Sequence, residues 1–116
     1  MANYSSRLDR TFHALADPTR RAVVDQLATR GTATVTELAA PFPIGLPTFL
    51  KHLKVLEDSG LVTSTKVGRT RTCRIHTKRL AEAEQWLARR QAQVEQQLDA
   101  FAAYVESVHR DQKEQS

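Results

Sequence analysis

Residues 46–76 read LPTFLKHLKVLEDSGLVTSTKVGRTRTCRIH, and this segment contains the clearest structural pattern of the chain. Apolar side chains recur at Phe49, Leu53 and Leu56, a spacing that places them on one face of a helix. The opposite face carries small, polar or basic residues, namely Pro47, Thr48, Lys51 and Lys54. Gly60 follows where a helix C-terminus favours a left-handed residue. The pattern predicts a short helix held to a core on one side and basic on the other.

A β-hairpin is predicted directly after this helix. Residues 62–67 and 70–76 are rich in Val, Thr and Ile, and Gly68 and Arg69 lie between them. The tip of the hairpin is basic. A helix followed by a basic hairpin is the arrangement of a winged helix, in which the hairpin contacts phosphates or a minor groove.

Cys73, the single cysteine, shares one face of the second strand with Arg71 and Ile75. That face is expected to point inward, so Cys73 is predicted to be a small buried hydrophobic residue. A sensing role stays open, because Arg71 and Arg74 lie near enough along the chain to lower the thiol pKa.

The positive charge of the chain is concentrated in this region. Residues 47–79 contain eight Lys and Arg against two Asp and Glu, a net +6, whereas the whole chain carries +4. The charge alone does not distinguish a solvated basic face from a binding surface. The location of this charge on a helix and a hairpin points to a polyanionic partner.

Two helices are predicted before residue 31. Residues 1–16 form the first, with apolar residues at i, i+4 and i+7. Asp17 and Pro18 are typical of a helix start, so a second helix is expected to run to about Thr29 and to end at Gly31. Its buried residues are predicted to be Val23, Val24 and Leu27.

A helix-turn-helix is predicted between residues 34 and 58. Thr34 and Glu37 match a capping box, which starts a short third helix. The linker PFPIG, residues 41–45, favours a turn, and Gly45 is the expected N-cap of the fourth helix. The fold class is therefore mainly α with a small β-hairpin wing.

A long last helix is predicted over residues 78–109, because this segment contains no Pro or Gly. Apolar residues recur every seven positions, and the stripe is too long to be buried on so small a body. We expect it to pack on a second copy of the chain; a return onto its own core is the alternative. The predicted dimer interface is Leu8, Phe12, Leu87, Val94, Leu98, Phe101 and Val105. The tail after His109 is expected to fray.

Candidate DNA contacts follow from these elements. Thr48 and Lys51 are expected at base edges or phosphates, and Lys54 at a phosphate. The other candidates are Lys66, Arg69 and Arg71 in the wing, Arg20 and Thr36 near helix starts, and Pro47 and Leu50. Leu50 has two interpretations: it packs on the preceding turn or Phe42, or it contacts thymine methyl groups together with Pro47. His52, beside the core stripe, is interpreted as structural.

The composition fits one domain over residues 1–116, divided into residues 1–16, 17–76 and 78–109. No run approaches ~20 apolar residues, and residues 1–12 lack a signal-peptide pattern, so the cytoplasm is expected. No phosphate loop or nucleophile–base set is present, and Glu82 and Glu84 are interpreted as solvated charges. We therefore predict that the chain is not an enzyme and uses no cofactor.

The chain resembles the ArsR/SmtB family of bacterial winged-helix regulators between about residues 12 and 75. The resemblance is carried by ALADPTRRAVVDQL, TVTELA and KHLKVLEDSGLV, followed by a wing containing Gly68-Arg69. It implies a homodimer that binds an inverted-repeat operator in double-stranded DNA and represses a nearby promoter until an effector releases it. Nothing in the sequence identifies that effector.

The metal ligands of many family members are absent. The third-helix segment TVTELAA has no Cys-x-Cys pair, and Phe101 stands two residues after Asp99 where the metal-binding pattern needs His. His109 is isolated. No metal site is therefore predicted. Two alternatives stay open: a metal or redox sensor acting through Cys73, His52 or His76, and a winged-helix module that is not specific for DNA.

Overall fold

The computed structural model describes the backbone of residues 4–115 and the side chains of residues 6–114. Within residues 4–115 there are five helices and three strands. They are α1 (Tyr4–Leu15), α2 (Pro18–Arg30), β1 (Thr32–Thr34), α3 (Val35–Ala39), α4 (Leu46–Asp58), β2 (Val62–Val67), β3 (Thr70–Ile75) and α5 (Thr77–Gln115). The predicted fold class, a mainly helical winged helix-turn-helix with a long last helix, is confirmed.

The hydrophobic core forms around α4. Phe49, Leu53 and Leu56 are at most 1% exposed, as the spacing predicted. They pack with buried residues of α2, α3, β2 and the turn that follows α4, which include Val23, Val24, Leu27, Leu38, Leu61 and Val62. Burial of one side of α4 leaves its other side in solvent.

The turns also form where the sequence placed them. Gly31, Gly60 and Gly68 all have positive φ, which only glycine adopts without strain. Thr34 and Glu37 form both hydrogen bonds of the predicted capping box, with distances of 3.1 and 3.0 Å. These local signals fix where each element begins and ends.

The sheet has one more strand than the predicted hairpin. β1 pairs antiparallel with β3, giving the order β1-β3-β2, and Ala33 lies opposite Cys73. A three-residue strand carries no recognisable periodicity of its own. It exists because β3 offers it a free edge. Through this pairing the wing is joined to the segment that leads into α3.

The junction of α1 and α2 corrects the prediction for Arg20. Its Nε and Nη2 donate hydrogen bonds to the carbonyls of Ala14 and His13, at 2.7 and 3.1 Å. Arg21 donates to the carbonyl of Leu15 at 2.8 Å. The two arginines thus satisfy the last carbonyls of α1, which have no partner within the helix. Arg20 is therefore engaged in structural hydrogen bonds at this junction, a role that the sequence did not indicate.

Glu82 and Leu8 also differ from expectation. Glu82 was expected to be a solvated charge, but its side chain is 12% exposed and pairs with Arg7 at 3.4 Å and Arg79 at 3.2 Å. Leu8 was predicted at a dimer interface, but it is only 6% exposed within the single chain. The pair of Arg7 and Glu82 joins α1 to the start of α5.

The chain divides into two compact units, residues 1–83 and 84–116. All buried hydrophobic side chains among residues 6–114 belong to the first unit. The second is a segment of α5, which continues beyond the predicted end at His109 to Gln115. The Gln, Glu and Lys residues after His109 are good helix formers, and this segment contains no Gly or Pro. Within residues 4–115, α5 included, no helix combines the length and apolarity that spanning a membrane requires.

The N-cap of α2 gives a stability prediction. Asp17 Oδ2 accepts a hydrogen bond from the backbone N–H of Arg20 at 3.0 Å, and this bond holds the pKa of Asp17 below its ordinary value of 3.8. Asp17→Ala should therefore lower the free energy of unfolding by about 1 kcal/mol at neutral pH. A carboxylate with a lowered pKa stabilises the fold above its unfolded-state pKa and loses that effect as acid protonates it.

Urea unfolding at neutral and at strongly acidic pH measures the effect. The gap between wild type and Asp17→Ala should shrink in acid, and Asp17→Asn, which keeps a capping oxygen, should lie between them at neutral pH. An equal gap at both pH values would show that the charge of Asp17 is irrelevant.

Candidate nucleic-acid interface

The outer face of α4, defined as Pro47, Thr48, Lys51 and Lys54, is exposed as the sequence predicted. Gly45 is the N-cap and makes no side-chain cap, while Pro47 occupies the first turn. Lys54 lies 3.7 Å from Asp58, but both side chains are more than 60% exposed, so this pair is weak. Lys51 makes no ion pair with any described residue. The face therefore presents cationic groups to solvent.

The tip of the wing adds two further cations. Lys66 and Arg69 are both exposed, on either side of the turn at Gly68. Neither forms an ion pair within the described part of the chain. Long cations at the end of a hairpin reach phosphate oxygens without needing a fixed geometry.

Arg71 is placed differently from the other wing cations. Its Nη2 donates to Glu57 Oε1 at the end of α4, and its Nε donates to Ser64 Oγ at 3.0 Å. Ser64 Oγ also lies 3.4 Å from the same carboxylate. Arg71 was expected near the tip as a source of charge. Instead it is half-buried and ties β3 to α4, so its charge is largely offset by Glu57.

A cleft of about 690 Å³ lies between the start of α3, the start of α4 and the wing. It brings together five of the predicted residues: Thr36, Leu50, Lys66, Arg69 and Arg71. It also contains Thr34, Val35, Leu46 and Thr70, which the sequence reasoning did not include. Leu46 carried a usable signal, because it stands four residues before Leu50 and outside the core stripe.

Two observations favour display of Leu50 over its packing on Phe42. Phe42, its suggested packing partner, stacks on Phe49 with ring centroids 5.9 Å apart. Leu50 is 38% exposed and lines the cleft. The side chain is therefore displayed beside the outer face of α4.

His52 belongs to a structural contact, in line with its interpretation. Its Nδ1 lies 3.2 Å from Arg20 Nη1 and 3.7 Å from Asp17 Oδ2. These contacts join the middle of α4 to the start of α2. They hold the helix at a fixed position relative to its neighbours.

Cys73 is fully buried, as predicted, and its environment disfavours a thiolate. Burial raises the thiol pKa, Glu57 raises it further, and Arg71 offsets only part of this. The expected lowering by nearby arginines is therefore wrong. Within residues 4–115, no three His, Cys, Asp or Glu side chains are grouped so that they could hold a metal ion.

The second unit displays an apolar stripe. Leu87, Val94, Leu98, Phe101 and Val105 are 47–65% exposed within the single chain. At 100° per residue they fall on one side of the helix. Exposed apolar surface of this extent on one side of a helix is typical of an interaction surface.

Comparison with known proteins agrees with this geometry. Residues 15–65 match the family model of a helix-turn-helix domain. The HTH-type transcriptional regulator Rv2034 of Mycobacterium tuberculosis is 42% identical over 81 residues, which cover 70% of this chain and 74% of that protein.

Two solved structures are also similar. A crystal structure described as an ArsR family transcriptional regulator is 52% identical, with a TM-score of 0.75, and the match covers 82% of this chain and 97% of that one. The homodimeric winged helix-turn-helix DNA-binding domain of Mb0332 from Mycobacterium bovis is 26% identical, with a TM-score of 0.59, covering 81% and 83% of the two chains.

The tie between Glu57 and Arg71 predicts a change in binding selectivity. Glu57→Gln removes the charge that holds Arg71, so Arg71 and the wing gain freedom and positive potential. Affinity for a scrambled duplex should rise, and the ratio of affinities for a preferred and a scrambled duplex should fall. Fluorescence anisotropy at several salt concentrations measures both.

Asp58→Asn is the matched control, because it removes the same charge one residue away, beside Lys54 and not beside the wing. It should raise binding to both duplexes alike and keep their ratio. If both variants change the two affinities identically, the contribution of the wing to selectivity does not depend on Glu57.

The burial of Cys73 predicts an unreactive thiol. A thiol reagent such as DTNB should modify native protein only as fast as it unfolds, and denaturant should release the reaction. Zinc or mild peroxide should leave DNA affinity unchanged in both wild type and Cys73→Ala. Rapid labelling of the native protein, or a response lost in Cys73→Ala, would restore the sensor interpretation.

Proposed function

The chain belongs to the ArsR family of winged helix-turn-helix transcriptional regulators, and from that premise we propose that it is a homodimeric repressor. It binds an inverted-repeat operator in double-stranded DNA at a nearby promoter or its own. It acts in the cytoplasm, where its single cysteine stays reduced.

One observation carries the proposal: the outer face of α4 and the wing tip both display cations to solvent, and Lys66 and Arg69 of the wing line a cleft with Leu46 and Leu50 of α4. Lys51, Lys66 and Arg69 have no acidic partner among the described residues, and α4 is held by its buried stripe. An α-helix of this kind fits a major groove, and the wing adds phosphate contacts. Charge supplies affinity, and the side chains along α4 supply discrimination.

The apolar stripe of the second unit supports a dimer. Its five side chains are exposed over residues 87–105, and a similar domain, that of Mb0332, is described as homodimeric. A twofold dimer presents two copies of α4 to half-sites about 34 Å apart, one turn of the duplex. An inverted-repeat operator has the same symmetry.

Repression follows from occupancy of such a site. A dimer that covers two successive major grooves at a promoter excludes polymerase from the same DNA. An effector that changed the separation of the two α4 helices would weaken binding to both half-sites together. The chemistry of that effector stays open.

A winged-helix module that binds protein or RNA is the competing function. It is less well supported, because the outer face of α4 has the small residues Pro47 and Thr48, which leave room for base edges. A-form RNA has a deep, narrow major groove that such a helix does not enter.

The test is fluorescence anisotropy on the upstream DNA of the coding gene against a scrambled duplex, in a salt series. Native DNA should bind more tightly, and its complex should survive salt that dissociates the scramble. Equal, steeply salt-dependent binding to both would contradict an operator. A transcription assay on the native promoter then distinguishes repression from activation.

The proposed dimer interface is tested by a substitution in the second unit. Leu98→Glu places a charge in the middle of the stripe, so it should shift the protein to a monomer in analytical ultracentrifugation. Affinity for an inverted repeat should fall by about a hundredfold or more, because the two half-sites are no longer bound together. Gln96→Glu, on the opposite side of the helix, is the control. A dimer that persists in Leu98→Glu would contradict this interface.

A further inference from the structure

The cleft between α4 and the wing has an apolar wall that the proposed function does not explain. Leu46 is 55% exposed and Leu50 is 38% exposed, and both line the cleft. Exposed leucines cost solubility and add nothing to phosphate binding. Because they lie beside a basic surface, they suit a negatively charged ligand that carries an apolar group at the place where it meets the leucines.

Helix geometry shows which way this wall faces. At 100° per residue, Leu46, Leu50 and Glu57 fall within about 40° of one another on one flank of α4. Glu57 on that flank is bonded to Arg71 of the wing. The two leucines therefore stand between the outer face of α4 and the hairpin that contains Lys66 and Arg69.

We propose that Leu46 and Leu50 recognise thymine by contact with its C5-methyl group. The proposal rests on the proposed function, since it assigns a base preference to the same DNA surface. Among the major-groove edges of the four bases, thymine alone carries a methyl group. The neighbouring phosphates of that strand are the expected partners of Lys66 and Arg69, so charge complementarity selects DNA as the occupant of the cleft.

The size of the effect follows from the area involved. Burial of one methyl group against an apolar side chain corresponds to about a fourfold gain in affinity. A dimer contains two such clefts, so the affinity for an operator with thymine at the same position of both half-sites increases by this factor twice. The preference is therefore measurable in equilibrium binding.

The experiment removes only the methyl group. Duplexes are selected from a random library with the wild-type protein, and each thymine of the selected site is then replaced by deoxyuridine, which keeps its pairing. At one or two positions in each half-site, this replacement should weaken wild-type binding by about fourfold. Leu50→Ala should bind thymine and deoxyuridine duplexes alike at those positions, and Leu46→Ala should reduce the difference.

Val67→Ala is the matched control. Val67 is a 75% exposed apolar residue of the wing that lies outside the cleft lining. This variant should keep the full difference between thymine and deoxyuridine. Because the readout is a ratio of two affinities for one protein sample, partial unfolding of a variant does not alter it.

The possible failures are distinguishable. Selection that enriches no sequence, with equal binding to all duplexes, would overturn this inference together with the proposed function. Enrichment of an operator whose thymines all tolerate deoxyuridine would overturn the inference alone and point to another occupant of the cleft, such as a small apolar ligand. A deoxyuridine effect that persists unchanged in Leu50→Ala and Leu46→Ala would assign the contact to another residue.

Discussion

Burial of one side of α4 is the constraint on which the rest of the structure depends. Phe49, Leu53 and Leu56 leave almost no surface exposed, so the helix cannot rotate about its axis without bringing apolar area into water. This fixes Thr48 and Lys51 on the outside. The same helix thus provides the centre of the core and the surface available to a partner.

The wing is held in place from two directions. β3 is bound on both sides, by β1 and by β2, and its Arg71 reaches the end of α4 through Glu57. A hairpin fixed in this way presents Lys66 and Arg69 at a defined distance from α4. Positive charge becomes selective only when its position is fixed, because loose cations bind any phosphate backbone.

Local signals predicted most of the fold, and long-range contacts account for what was missed. Gly31 and the capping box of Thr34 marked element boundaries because their physics lies within a few residues. The roles of Arg20, which caps another helix, and of Arg71, which pairs with Glu57, depend on neighbours distant in sequence. Residue type alone made both look like DNA contacts. Leu46 was not predicted because it lies outside the core stripe, and its place in the cleft depends on where the wing packs.

The central claim is that α4 and the wing form one DNA-binding surface. Two-dimensional amide NMR of the protein, titrated with its selected duplex, tests this claim most directly. We expect the largest shifts in residues 46–54 and 66–70, with small changes at α2 and no direct contact along residues 87–105. Shifts centred on the α5 stripe, or spread evenly over every exposed lysine and arginine, would contradict the account.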